Sequence, residues 1–245
     1  MTGSAGPADS AGVPFHARQL TSTGFDDDSG AADPGLLAVL SGSPGEAELV
    51  AAVAAARWLV PVVATPTEIA EGDHGHAVDA GVDMAVVTLL SPTGERALPV
   101  FSSLTAMADW DPSARPVPVT AARAAQAAVA EGCHTIVVDL AAPHSQILRP
   151  SMVWALAQQR AWLPAHTDPF VAGSVARAVE GEGQVTAYEI SEGAPPGEGV
   201  LGVRLTIVPG LPPERVRDLV TGIGERLATD GEFRARVDAL AFAIR

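Results

Sequence analysis

The stretch ALPVFSSLTAMADWDP, Ala97 to Pro112, constrains the rest of the chain most. It changes period in the middle: a short apolar strand over 97–101 meets a Ser-Ser pair, after which Leu104, Met107 and Ala108 recur at helical spacing. Ser103 is the natural N-cap, because its hydroxyl accepts from the free N–H groups of the first helical turn. Asp111-Pro112 ends the helix. A strand that turns straight into a helix fixes the direction of both, so the neighbouring strands have to pack around this corner.

Upstream, residues 1–33 are rich in Gly, Ala, Ser, Thr, Pro and Asp without periodicity, which reads as a mobile N-terminal arm. Asp33-Pro34 pairs a cap with a proline suited to the first helical position, and Leu36, Leu37 and Leu40 follow on a helical spacing. Glu46 to Arg57 reads as a second helix with Leu49, Val50 and Val53 on its buried side, and Trp58–Ala64 as a strand. Residues 65–83 are polar, acidic and Gly-containing, a long loop between strands. Met84–Leu90 resumes the sheet, and the turn chemistry of 91–96 predicts an antiparallel hairpin of 84–90 with 97–101. Pro61 and Pro99 each remove a ladder donor, so they belong at an edge, a bulge or a strand end, and the sheet is not a plain parallel one.

Beyond the corner, Val117–Val119 is extended, and Thr120 caps an Ala-rich helix that Gly132 stops. His134–Leu140 is a buried strand. Pro150 opens a helix through Arg160 with Met152, Trp154, Ala155 and Leu156 facing inward. Asp168-Pro169 repeats the cap-plus-proline signal, and Val171, Val175 and Val179 recur every four residues until Gly181. Strand 184–190, a Gly/Pro loop over 192–199, strand 200–208, helix 213–228 and strand 237–244 complete the chain. Leu201, Val203, Leu205 and Ile207 alternate with Gly202, Arg204 and Thr206, which predicts one buried and one wet face. The fold class is α+β: an N-terminal mixed or antiparallel sheet flanked by helices, and a smaller C-terminal αββαβ unit. The division is an arm at 1–33, an N-terminal domain at 34–164 and a C-terminal domain at 168–245.

Composition removes several functions. Hydrophobic residues at 47% and charged residues at 18% are enough for a core, so the chain is not disordered as a whole. The net charge of -14 repels phosphate backbones, which argues against nucleic acid as a partner. All 15 basic residues are Arg, and without a lysine there is no Schiff base and no P-loop. Cys133, the single cysteine, allows no intramolecular disulfide and no Cys-rich metal site. No basic-then-apolar leader opens the sequence, and the longest apolar run, Leu49–Ala64, is interrupted by Arg57. The expectation is a cytoplasmic protein without membrane attachment.

Four segments occur in the order found in a known family. ALPVFSSLTAMADWDPSARPVPV resembles the "LPVFTS…W" core of the SseB-like family, named for enhanced serine sensitivity, with Ser102 where Thr is expected. FDDDSGAADPGLLAVL at 25–40, RWLVPVVA at 57–64 with DMAVVTLLSPTGER at 83–96, and AARAAQAAVAEGCHTIVVDL at 121–140 with WALAQQRAW at 154–162 fit as well. The resemblance covers about residues 13–164. It implies a fold but no agreed catalytic residues and no mechanism; separately, the expectation is no cofactor and no metal.

Several groups carry chemistry on residue type alone. His74 and His76, flanked by Glu71, Asp73 and Asp79, offer two imidazoles and carboxylates to a divalent metal, yet without scaffold spacing they read first as a polar loop in an acidic protein. Gly197-Glu198-Gly199-Val200-Leu201-Gly202 fits G-x-G-x-x-G, but it enters a strand instead of opening a helix, so it reads as a hairpin turn. Ser102 and Ser103 with His134, His144 and Asp139 have the residue types of a hydrolase triad but lack the G-x-S-x-G elbow. Cys133 follows a helix C-terminus, where the dipole disfavours a thiolate, and reads as core. Trp58, Trp110, Trp154, Trp162 and an unsupported Arg149 could line a partner surface, although tryptophans at element ends are mostly core. The expected role is a non-enzymatic module that binds an unidentified protein partner, possibly itself. The alternative is a small-ligand or metal binder, or a hydrolase, using the His74/His76 loop or the Ser102 corner.

Overall fold

The computed structural model describes residues 24–66, 82–92 and 94–245. Residues up to Gly30 form one unit and Ala31–Arg245 another. Most of the expected arm, and the 67–81 part of the expected loop, lie outside the described residues. In the first unit Asp28 makes a local turn, its amide donating to the Phe25 carbonyl and its carboxylate accepting from Gly30.

The second unit opens with α1 (Pro34–Ser41), capped by Asp33 accepting from the Leu36 amide at 2.8 Å, and α2 (Glu46–Ala55). Strand β1 (Arg57–Pro66) is the centre of a sheet in which β2 (Val82–Val86) and β5 (Arg115–Thr120) flank it, both antiparallel. A second sheet has the order β3 (Leu89–Leu90), β4 (Arg96–Val100), β6 (Thr135–Val138), β7 (Gln146–Leu148). Here β4 and β6 are parallel and the outer pairs antiparallel, so the sheet is mixed as expected. Leu59 and Phe101 join the two sheets by exchanging both backbone hydrogen bonds at 2.9 Å. The expected hairpin of 84–90 with 97–101 is only partly correct. The chain breaks after Val86, so that 82–86 pairs with β1 and only Leu89 and Leu90 pair with the start of β4. A continuous apolar run has no period to mark such a break.

One face of these sheets carries the larger core. Ala121, Ala124, Ala125 and Ala128 of α4 (Ala121–Ala130) lie on one buried stripe, and their small side chains let the helix approach closely. Gly132, in the left-handed region at φ 67°, closes α4 with the two hydrogen bonds of a Schellman motif, Gly132 to Val129 and Cys133 to Ala128. Helix α5 (Pro150–Ala157) adds Met152, Val153 and Leu156. It stops three residues short of the expected Arg160, because Gln159 adopts φ 55° and the Arg160 amide turns back to the Ala155 carbonyl. Trp154 is 41% exposed, contrary to its expected inward orientation, and Val153 takes the inner position instead. On the opposite face, α3 (Leu104–Trp110) covers Leu59 and Phe101 with Met107, and Trp110 stacks on Phe101 at 5.2 Å. Leu104 points outward, which corrects the expected stripe: the buried positions follow Met107 and Trp110 rather than Leu104 and Ala108.

A separate core occupies the C-terminal half. Helix α6 (Pro169–Val179) buries Val171, Val175 and Ala178, and Asp168 caps it through the Phe170 amide at 2.8 Å. Strands β8 (Val185–Glu192) and β9 (Val200–Ile207) form an antiparallel hairpin, and β10 (Ala239–Ile244) runs parallel to β9 on its other side. Helix α7 (Pro213–Thr229) contributes Leu219, Ile223 and Leu227. Leu201, Val203 and Leu205 face this core and Arg204 faces out, as the alternation requires. The expected αββαβ order is correct except for an additional short helix, α8 (Gly231–Arg236), which adds buried Phe233.

Candidate functional site

The strand-to-helix corner brings together three of the residues singled out from the sequence. Strands β4 and β6 run parallel and end side by side, so Ser102 follows one and Asp139 the other. Asp139 is fully buried and adopts φ 47°, a left-handed conformation that Asp tolerates better than most residues. Its Oδ1 accepts from the Ser102 amide at 2.8 Å, and its Oδ2 accepts from Ser102 Oγ at 2.7 Å. The tight connection between β6 and β7 returns His144, whose Nε2 lies 3.2 Å from the same Oδ2. Arg57 donates to the Ser102 carbonyl at 3.0 Å. Ser103 caps α3 through the Ala106 amide at 3.0 Å, as the sequence predicts.

This arrangement has the residues of a triad in a different order. A serine hydrolase places the imidazole between hydroxyl and carboxylate, so that the ring takes the hydroxyl proton. Here hydroxyl and imidazole both contact one carboxylate oxygen, and the Ser102 proton points to Asp139. Ser102 is also only 2% exposed. His134 stands apart at the other end of β6, its amide bound to the Arg96 carbonyl. The cluster ties two parallel strand ends to a helix start, with every buried polar atom partnered.

A second polar cluster surrounds Arg149. It is not unsupported, as the sequence suggests. Its guanidinium donates to Glu46, to Asp238 Oδ2 at 3.0 Å and to the Gly197 carbonyl at 2.8 Å, and stands over the Trp162 ring at 5.9 Å. Burial works against its charge, but the hydrogen bonds to Glu46 and Asp238 outweigh this and raise its pKa. Ser151 donates its amide to Asp238 Oδ1 and its hydroxyl to Oδ2, both at 2.8 Å, and accepts from Trp162 Nε1 at 3.0 Å.

Beside this cluster an open cleft is lined by Trp154, Trp162, Leu163, Arg160, Glu232 and Arg236. Trp154 and Leu163 are 41% and 44% exposed, whereas Trp58 and Trp162 are buried in the core. Arg236 donates to Asp168 and Glu232 and lies over Phe170 at 4.7 Å. The charged wall of the cleft is therefore already paired.

The remaining candidates separate cleanly. His74, His76 and their acidic neighbours lie outside the described residues. Among the described residues no group of three or more His, Cys, Asp or Glu side chains is placed to hold a metal ion. Cys133 is buried, and burial raises its thiol pKa, which fits the core role. The G-x-G-x-x-G segment closes the β8–β9 hairpin. A Cβ on Gly199 would stand 2.5 Å from Asp238 and 2.6 Å from Arg149, so this glycine serves close packing against the Arg149 cluster. The sequence reading missed Glu46, Ser151 and Asp238. One signal was legible: α5 begins at Arg149-Pro150, with no Ser, Thr, Asp or Asn at the N-cap to supply an acceptor.

Residues 35–155 match the SseB protein N-terminal domain. This part of the chain is an SseB N-terminal domain. The match lies within the 13–164 resemblance and contains the Ser102 corner and all of the larger core's buried residues except Leu156 and Trp162. The cleft and Asp238 combine this domain with residues beyond it. No curated protein and no solved structure matches the chain. Among the described residues no helix is long and apolar enough to cross a membrane.

Proposed function

We propose that this SseB-domain chain is a cytoplasmic, non-enzymatic module that binds another protein, possibly a second copy of itself, without nucleic acid or membrane as a partner. The observation that carries the reading is the pair Trp154 and Leu163, large apolar side chains held at the edge of an open cleft. An exposed tryptophan beside Arg is a composition enriched in interface hot spots, and Leu163 extends the apolar edge next to it. The geometry of the Ser102 corner adds support, because its hydroxyl is buried and hydrogen-bonded to carboxylate rather than imidazole.

The test uses the full chain and a Trp154→Ser, Leu163→Ser variant. Both side chains are exposed, so folding is expected to be unchanged by circular dichroism. Partners recovered from the native cytosol, and any concentration-dependent sedimentation of the pure protein, are expected to be lost in the variant. Identical recovery and sedimentation would reject the cleft as the binding face. The rival ligand-binding reading wins if dialysed protein retains one stoichiometric metal ion that disappears on replacing His74 and His76 by Ala.

A further inference from the structure

We infer that Asp238 is the N-cap of α5, delivered from the C-terminal core, and that this carboxylate latches the C-terminal unit onto the SseB domain so that the two cores unfold together. Helix α5 has no capping side chain of its own. The first turn of a helix presents unpaired N–H groups and a partial positive charge, and an acceptor is normally supplied one to three residues away. Here the acceptor is 87 residues away in sequence: Asp238 Oδ1 receives the Ser151 amide at 2.8 Å. Its other oxygen receives both Ser151 Oγ and Arg149 Nε, which completes the carboxylate.

The position of Asp238 makes the cap a joint between cores. It immediately precedes β10, the strand paired with β9 in the middle of the C-terminal sheet. Ser151 immediately precedes Met152 and Val153, which are buried in the larger core. The β8–β9 hairpin closes over the same point, with the Gly197 carbonyl on Arg149 and Gly199 too close to Asp238 for a side chain. Glu46, at the first position of α2, is the second carboxylate on Arg149 and ties in another helix. Two carboxylates face one guanidinium, and the α5 N-terminus supplies the remaining positive potential. Asp238 is only 9% exposed at its side chain, so water does not replace these partners while the units stay together. The matched family segment ends at residue 155, inside α5, and the cap comes from beyond it.

The test is native-state amide exchange of the full chain against urea, in the parent protein and in Asp238→Ala. In the parent, the amides of β6 (Ile136–Val138) and β9 (Leu201–Leu205) are expected to exchange through one opening with a common urea dependence. In Asp238→Ala the β9 amides are expected to exchange at least tenfold faster than the β6 amides, and the Ser151 amide to lose its protection. Asp238→Asn keeps the Oδ1 acceptor and removes the charge, so it serves if the alanine variant does not fold. It is expected to accelerate β9 selectively while Ser151 stays protected. Glu189→Gln, which breaks a surface pair with Arg204, is the control and leaves both strands unchanged. Equal acceleration of β6 and β9 would make Asp238 a local cap only and overturn the latch. Separate openings already present in the parent protein would overturn it as well.

Discussion

Asp139 shows how much one side chain contributes at the corner. Replacing it with Ala leaves the Ser102 amide without its acceptor in a site with no solvent, and a buried unsatisfied donor costs about 1–3 kcal/mol. Ala also lacks the local hydrogen bonding that helps Asp hold φ 47°, so the strain adds to the loss. Asp139→Ala is therefore expected to destabilise by about 3 kcal/mol, read as a shift of the urea midpoint. Asp139→Asn keeps an acceptor for the amide and tolerates the backbone, and is expected to cost less than half as much. Equal midpoints for the two variants would mean that the hydrogen bonds to Asp139 do not hold the corner together.

At the scale of the element, α8 depends on its cap. It has six residues, too few to be stable alone, and Asp230 accepts from both the Glu232 and Phe233 amides at 3.1 Å. The Phe233 amide is the largest cause of the lowered Asp230 pKa; burial, the next largest, works against it, and Ser174 Oγ, the Glu232 amide and the nearby Arg177 charge lower it further. Because the folded value lies below the ordinary 3.8, this stabilisation is complete above that pH and is lost as the pH falls through the folded value. Asp230→Asn still caps but does not titrate. The difference in urea midpoint between parent and variant is expected to be constant near neutrality, equivalent to about 1 kcal/mol or less, and to shrink below about pH 4. A difference independent of pH would show that the charge on Asp230 contributes nothing.

At the scale of the molecule, the two cores share no buried side chain among the described residues, and the polar joint at Arg149, Ser151 and Asp238 lies between them. A domain needs a core of its own, and at the size of residues 168–245 such a core supplies only about 3–5 kcal/mol. The fragment Asp168–Arg245 is expected to melt cooperatively but at a lower temperature than the full chain, because it exposes the surface that α5 and α8 bury against each other. Differential scanning calorimetry of both decides this. A soluble fragment with no transition would mean that the C-terminal core depends on the first.

What the sequence determined alone was local. Ser103, Asp33, Thr120 and Asp168 appear as caps within three residues of the amides they satisfy, and Gly132 stops α4 where the chain needs a left-handed residue. The α+β class and the SseB resemblance rest on the same local periods and their order along the chain. Tertiary structure decided everything that joins distant residues. Whether Ser102 faces an imidazole or a carboxylate depends on the parallel pairing of β4 and β6, which no residue near Ser102 specifies. Trp154 and Val153 are both apolar, and only the packing of α5 selects which one is buried. Asp238 lies 87 residues from the amide it caps, and a hydrogen bond across that separation leaves no period or spacing in the chain to read.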